Sequence, residues 1–287
     1  MSKPIPKGTR PRPSTILFRQ FKRGLSELSE IHWFMELGRC AAISALGKGV
    51  ADGRRDALAV DLVPVDFDRS AFAESASEAI ELADQRAHRQ RLYLLVVCAA
   101  LLETFLQEAV CLQVAANGES TADYELTSVG KDSAAGVLRC SDIPELIKCA
   151  ERAFGLTLGG KESAKERWTA GYKLRCSAAH EAGIVSAATR RKLGDTRIEV
   201  GHKLSLDWPT LKSYKEAAFE IAEAVDRKLA TKAVLEYEQE RQVFRWAKED
   251  RAARAATLRQ RLLQAGVEPP ASRMKHLLSV WERGASR

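Results

Sequence analysis

The amino-acid sequence predicts an all-α protein, and three observations lead to that prediction. Apolar residues recur at intervals of three and four in successive segments, helix start and stop signals bound those segments, and no segment requires a β-sheet. The 287 residues are 45% hydrophobic and include only 18 Gly and 9 Pro, which is typical of a globular protein. A chain of this length forms one large domain or two small ones.

The first two segments are a basic tail and a helical region. Residues 1–14 are rich in proline and basic side chains, and we expect them to form a tail. Residues 15–71 form the predicted N-terminal helical segment, which glycines at positions 47, 49 and 53 close. Its apolar side chains follow helical spacing: Ile16, Phe18, Phe21, Leu25, Leu28, Ile31, Phe34, Met35 and Leu37.

A long helix is predicted after Ser70, and it ends at Asn117-Gly118 as a helix should. Its most apolar run, Leu92 to Leu102, has eleven residues. A membrane-spanning helix needs about 20, so we interpret this run as a buried helix. The first residues also lack the apolar core of a secretory signal. We therefore expect a cytoplasmic protein that is not inserted in a membrane.

The next two helices have clear boundaries. Ser141-Asp142-Ile143-Pro144 begins a helix that Gly155 ends, after a loop over residues 119–140. Ser163-Ala164-Lys165-Glu166 is a capping box, in which the serine hydroxyl and the glutamate carboxylate bind backbone amides reciprocally. With Gly183 at the other end, the prediction is a helix over about 164–182, followed by a turn-rich stretch over 184–206.

The last part of the chain is again helical. Trp208-Pro209 begins a helix whose apolar side runs through Leu211, Tyr214, Ala218, Ile221, Val225 and Leu229. The helical pattern continues to about Gln264, too long for one ordinary helix, so we expect a break or a protruding arm after Leu229. Gly266 and Pro269-Pro270 separate a final helix, about 272–281. Residues 230–287 form a predicted basic helical extension.

Charge is concentrated at the two ends of the chain. The net charge is +7; residues 1–55 contain 11 Lys/Arg against 4 Asp/Glu, and residues 227–287 contain 14 against 7. Basic ends suit a partner that carries phosphate, although a solvated helix face has the same composition. Within the extension, Arg245, Arg251 and Arg254 are the candidate contacts to an RNA backbone.

Metal and cofactor chemistry have no sequence signature in this chain. The six cysteines include no C-x-x-C pair, and no two of the five histidines lie three or four residues apart. Motifs typical of nucleotide-binding loops, serine hydrolases and zinc proteases are also absent from the sequence. The expectation is therefore reduced thiols, no metal, no cofactor, and metal-free acid–base chemistry.

One pair of side chains suits that chemistry. Arg175 and His180 lie five residues apart near the end of the predicted 164–182 helix. Histidine titrates near neutral pH and can move the proton of a ribose 2′-hydroxyl, while arginine stabilises the charge that develops on phosphorus. The spacing alone is weak evidence, because Arg197 and His202 repeat it in the turn-rich stretch. We set that second copy aside.

The surroundings of Arg175 and His180 resemble the HEPN superfamily, whose members carry an R-x4-H motif near a helix end. The resemblance covers residues 72–229: LYLLVVCAALLETFLQEAV is similar to the family's apolar inner helix, and Gly183 and the Trp208 helix follow the motif in the family's order. It implies an up-and-down helical bundle that dimerises and cleaves RNA without a metal ion, in toxin or anti-phage defence systems. Arg175 and His180 would be catalytic, with Glu103, Ser177 and Cys176 supporting them. An antitoxin or defence-system protein is a further partner.

The residues leave two other functions open. Cys176 stands where active members often carry Asn, Asp or His, and a thiol is a weak hydrogen-bond partner. This favours a catalytically inactive HEPN module that binds RNA, a nucleotide or a partner protein. A DNA-binding regulator that uses the basic C-terminal segment is the third alternative.

Overall fold

The structure is a computed structural model that describes residues 13–62, 74–118, 143–159, 163–180, 183–193, 199–249 and 255–285. Within these ranges the all-α prediction is confirmed: the regular structure is helical, apart from isolated bridges between Leu58 and Ser75 and between Ile184 and Lys203. The helices of the described ranges are α1 (Ile16–Ala51), a 3-10 turn (Ala59–Asp61), α2 (Ala76–Ala116), α3 (Ile143–Phe154), α4 (Ala164–His180), α5 (Ala187–Leu193), α6 (Trp208–Leu229), α7 (Lys232–Glu249), α8 (Ala255–Gln264) and α9 (Ala271–Ala285).

The start of the long helix α2 differs from the prediction. It begins at Ala76, because the capping box is Ser75-x-x-Glu78 and not a serine five residues earlier. The Ser75 backbone N–H donates to the Glu78 carboxylate at 2.9 Å, and the Glu78 N–H donates to Ser75 Oγ at 3.3 Å. The predicted end is confirmed, with Gly118 in the left-handed region at φ +80°.

The turn-rich stretch 184–206 contains a helix that the sequence analysis missed. Helix α5 begins after Ser186, whose Oγ accepts the Thr189 N–H at 3.0 Å. Helix α5 is too short to show an apolar repeat, so the periodicity that identified the other helices could not reveal it. The predicted loop over 119–140 lies outside the described residues.

The predicted break after Leu229 is confirmed. Helix α6 ends at Leu229 and α7 begins at Lys232, where Thr231 Oγ1 accepts the Val234 N–H at 3.3 Å. Helix α7 does not protrude, because it packs against α9 and has a buried side. The core around it includes Ile16, Val243, Ala247, Leu258, Leu262, Val267, Leu277, Val280 and Trp281.

The chain forms two compact units that are interleaved in sequence. Unit 1 comprises residues 1–22, 103–157 and 220–287, and unit 2 comprises residues 23–102 and 158–219. Helices α1, α2 and α6 each contribute residues to both units. The division into segments 1–14, 15–71, 72–229 and 230–287 stays a prediction.

Unit 1 holds the start of α1 through two buried carboxylates. Asp226 accepts the N–H of Thr15 at 3.0 Å and its hydroxyl at 2.6 Å. Glu238 accepts the N–H groups of Ile16 at 2.7 Å and Leu17 at 2.8 Å. The first turn of a helix has N–H groups without partners inside the helix, and these carboxylates accept their hydrogen bonds. Their negative charge also interacts favourably with the positive, N-terminal end of the helix dipole.

Unit 2 packs α1, α2, α4 and α6 around a core that includes Leu95, Cys98 and Trp168. The His32 ring of α1 stacks on the Trp208 ring of α6 with centroids 3.9 Å apart. Burial raises the pKa of the Cys98 thiol to about 12, which makes it inert at neutral pH. Among the described helices, α2 has the length and apolar content to cross a membrane, and half of its most apolar stretch of 18 residues is buried inside the protein.

Candidate functional site

Helix α4 carries the Arg175 and His180 motif, and its ends are well defined. The Glu166 N–H donates to Ser163 Oγ at 3.2 Å, which confirms the serine half of the predicted capping box. His180 is the last residue of α4, and its side chain lies outside the described part of the chain. The predicted helix end at 182 is not tested, because residues 181 and 182 are not described either.

The Arg175 side chain is half-buried and has an unusual environment. Its guanidinium carbon lies 5.8 Å from the centroid of the Tyr172 ring, a cation–π distance. Its Nε is buried and has no hydrogen-bond partner among the described residues. The Nε atoms of Arg91 and Arg273 are buried without a partner in the same way, so this feature does not by itself distinguish Arg175.

The same face of α4 carries a second unsatisfied donor. Trp168, Tyr172 and Arg175 follow at intervals of four and three, so they lie along one side of the helix. Trp168 is fully buried, and its indole Nε1 has no hydrogen-bond partner within the described residues. Two donors without acceptors therefore lie on the stripe of α4 that ends at Arg175.

Helix α6 supports α4 closely from one side. A Cβ atom at Gly171 would lie 2.8 Å from Cγ of Tyr214, so only glycine allows the aromatic ring to approach the α4 backbone. Burial raises the pKa of Tyr214, which therefore stays a neutral phenol at physiological pH. This contact holds the middle of α4 against α6, four residues before Arg175.

The chain that follows α4 is tied back to the helix. Gly183 has φ +76°, and its N–H donates to the Ser177 carbonyl oxygen at 3.2 Å. The Gly183 carbonyl in turn accepts the Leu204 N–H at 2.7 Å, next to the bridge between Ile184 and Lys203. The predicted role of Gly183 as a helix-ending residue is confirmed by this geometry.

The three predicted supporting residues lie in different environments. Ser177 is buried and its hydroxyl donates to the Ile184 carbonyl oxygen at 3.4 Å, while Cys176 is half-buried. Glu103 is half-buried in the part of α2 that belongs to unit 1, whereas Arg175 belongs to unit 2. The functional roles assigned to these three residues stay predictions.

The structure describes one of the three predicted RNA-contacting arginines. Arg245 is exposed on α7 and lies 3.5 Å from the Glu249 carboxylate through its Nε. Arg251 and Arg254 lie outside the described residues. A surface ion pair of this kind is weak, so Arg245 remains accessible to a polyanion.

A small basic cleft adjoins the segment after α4, and the sequence analysis did not identify it. The cleft has a volume of about 80 Å³, and its lining consists of Gln85, His88, Arg89, Leu92, Gly183, Lys203, Leu204 and Ser205. Arg89 and Lys203 are exposed, and no sequence motif links them because they are far apart in the chain. Tertiary packing brings α2 to this place: a Cβ on Gly183 would lie 3.3 Å from Leu92, and the His88 ring of α2 is hydrogen-bonded to the backbone of Leu206.

The arrangement as a whole offers cations and hydrogen-bond donors near one end of one helix. A cation that is half-buried against an aromatic ring can bind a phosphate oxygen more strongly than a fully solvated one. In the described part of the chain, no group of three or more His, Cys, Asp or Glu side chains is arranged to hold a metal ion. No protein-family model, curated protein or solved structure matches this chain.

Proposed function

We propose that the protein is a cytoplasmic endoribonuclease of the HEPN type that binds an RNA phosphate with Arg175 and cleaves the backbone with His180. The observation that carries the proposal is the guanidinium of Arg175, which is half-buried against the Tyr172 ring on α4, five residues before His180. Guanidinium groups bind phosphate through two parallel hydrogen bonds. An RNA phosphate would bind the terminal nitrogens of this guanidinium, because the buried Nε is closed to solvent.

The reaction uses the ribose 2′-hydroxyl as the nucleophile. The 2′-oxygen forms a bond to phosphorus, the bond from phosphorus to the 5′-oxygen breaks, and a 2′,3′-cyclic phosphate and a 5′-hydroxyl result. Imidazole takes the 2′-hydroxyl proton or gives a proton to the leaving 5′-oxygen, because its pKa lies near neutral pH. Arg175 stabilises the additional negative charge on the phosphorane oxygens. DNA lacks the nucleophile and should not be cleaved.

A homodimer would complete the site. One Arg and one His provide a single proton-transfer group. The reaction needs both a base that takes the 2′-hydroxyl proton and an acid that protonates the leaving 5′-oxygen. A two-fold related copy of α4 would bring a second Arg175 and His180 to the same phosphate. An antitoxin or other defence-system protein is the partner that would restrain such an enzyme.

The decisive experiment is RNA cleavage by His180→Ala, with a fluorescent RNA in the presence of EDTA. We expect the rate to fall about 100- to 10,000-fold, the usual contribution of a general acid or base. His202→Ala is the matched control, since His202 belongs to the second R-x4-H spacing and is exposed, and its rate should equal that of the wild type. Equal cleavage by His180→Ala and the wild type would refute the proposal.

A second function, RNA binding without cleavage, is favoured by Cys176. This half-buried thiol is the neighbour of Arg175 and offers little hydrogen bonding to a reacting phosphate. In that case the wild type retards RNA in a mobility-shift assay but leaves its length unchanged, and Arg175→Ala abolishes the shift. Equal retardation of RNA and DNA would instead favour a DNA-binding regulator.

A further inference from the structure

Helix α1 exposes a continuous apolar face in unit 2. Phe34 is 78% exposed, Leu37 is 68% exposed and Ile31 is 47% exposed. At about 100° per residue, Ile31 and Leu37 each lie about 60° from Phe34, on either side of it. Large apolar side chains that are contiguous and this exposed mark an interaction surface.

Small residues continue the same face toward the end of α1. Gly38 and Ala41 are exposed and lie about 40° and 20° from Phe34 on the helix surface. A Cβ atom at Gly38 would meet nothing within 4 Å, so no contact inside the protein requires glycine there. Glycine inside a helix costs about 1 kcal/mol relative to alanine, and the close approach of a second helix is a reason to keep it.

We propose that α1 packs against α1 of a second copy in antiparallel orientation, with the two-fold axis between Leu37 and Gly38. An antiparallel two-fold axis at that point places Phe34 opposite the partner's Ala41, and it brings Leu37 against the partner's Leu37 and Gly38 against the partner's Gly38. The contact of Phe34 with a small side chain repeats on both sides of the axis. The arrangement is self-complementary in shape.

Charge supports the same axis. Glu27 falls opposite the partner's Lys48, and Arg23 falls opposite the partner's Asp52, with all four side chains exposed. Arg23 and Glu27 already form an exposed ion pair within α1 at 2.9 Å, so the partner's charges would extend it into a network. Because three complementary pairs share one axis, a second copy fits this face better than an unrelated protein does.

The length of the face suits a stable dimer. From Arg23 to Asp52 it spans about 43 Å at 1.5 Å per residue. A polar rim at both ends and an apolar centre is the usual anatomy of a protein interface. No residue of this surface belongs to α4, so this contact is a second two-fold interface, separate from the one proposed at α4. The inference does not depend on the proposed ribonuclease activity.

The first test is sedimentation equilibrium of the full chain with Phe34→Glu. We expect this variant to raise the dissociation constant of the α1 dimer at least 100-fold, because two carboxylates would replace the central apolar contacts. Tyr93→Glu is the matched control: Tyr93 is 54% exposed on α2, in the same unit but outside the α1 face, and its variant should associate like the wild type. A monomeric wild type, or equal association by both variants, would overturn the inference.

Charge reversal tests the axis itself. Glu27→Lys and Lys48→Glu should each weaken association about 5-fold, since each dimer contains two such pairs of roughly 0.5 kcal/mol. The double variant restores opposite charges and should return to within about twofold of the wild type. If the double variant associates more weakly than either single variant, this axis is excluded. If the face binds a different protein and the chain does not self-associate, a second copy is not its partner.

Disulfide formation gives an independent distance. In a Cys40→Ser background, Gly38→Cys should form a disulfide between subunits under mild oxidation, because position 38 lies beside the axis. Native Cys40 is the control, since it is exposed on the same helix but about 120° from Phe34. RNA cleavage measured on the same samples separates the two proposals. Loss of the α1 dimer with normal cleavage bears on the dimer alone, and loss of cleavage with a normal dimer bears on the ribonuclease alone.

Discussion

The start of α1 in unit 1 and the end of α4 in unit 2 both bury polar groups, but they satisfy them differently. At the start of α1, Asp226 and Glu238 accept four hydrogen bonds from residues 15–17. On α4, Arg175 Nε and Trp168 Nε1 are buried donors without acceptors among the described residues. A satisfied cluster stabilises the fold, whereas unsatisfied donors cost stability. The contrast separates a structural joint from a candidate binding site.

Arg175→Ala should separate activity from stability most strongly. We expect RNA cleavage to fall about 100- to 1,000-fold, the usual loss when one donor to a developing anion is removed. The free energy of unfolding should change by less than about 1 kcal/mol, because the variant also removes a buried donor that has no acceptor. Cleavage rates and urea unfolding of the same preparation measure both quantities. A large loss of stability with normal cleavage would assign Arg175 to the fold.

Asp226→Ala should have the opposite effect. It leaves the N–H and the hydroxyl of Thr15 buried without their acceptor, and we expect the free energy of unfolding to fall by about 3 kcal/mol. Asp226→Asn keeps one acceptor oxygen and should cost less. Chemical denaturation measures the difference, and cleavage per folded molecule should be unchanged. If Asp226→Ala were as stable as the wild type, the hydrogen bonds of Asp226 to Thr15 would have no structural role.

Glu238 gives the smallest effect, and it depends on pH. Burial raises the pKa of Glu238, and the N–H donors of Ile16 and Leu17 oppose that rise. A carboxyl with a raised folded-state pKa stabilises the protein fully below its unfolded value, and this contribution is lost as pH rises through the folded value. Glu238→Gln should therefore flatten the fall in unfolding free energy above about pH 4.5. If the unfolding free energies of the variant and the wild type change with pH in parallel, Glu238 is not the group responsible.

Much of the helix pattern could be predicted from the sequence because its signals are local. The Ser163 cap of α4, the glycine after α4 and the break after Leu229 all appear in the structure. The predicted start of α2 is too early, since Ser70 and Ser75 are both acceptable caps and only Ser75 is followed three residues later by a glutamate that reaches back. Helix α5 is too short for its periodicity to predict it.

The candidate site was predictable only in part. The order of residues along α4 places Arg175 five positions before His180, and helix geometry alone puts Trp168, Tyr172 and Arg175 on one side. The Arg89 and Lys203 cleft could not be predicted, because its walls come from distant parts of the chain. Whether Glu103 acts with Arg175 stays a prediction.

Local sequence is sufficient to determine where these helices begin and end and which of their sides are apolar, because caps and periodicity act over a few residues. Burial of individual polar groups is decided by packing between distant segments. Asp226 and Glu238 are ordinary acidic residues in the sequence, and only the tertiary structure buries them beneath the first turn of α1. Likewise, desolvation of Arg175 Nε depends on every element that packs around α4, and no local signal encodes it.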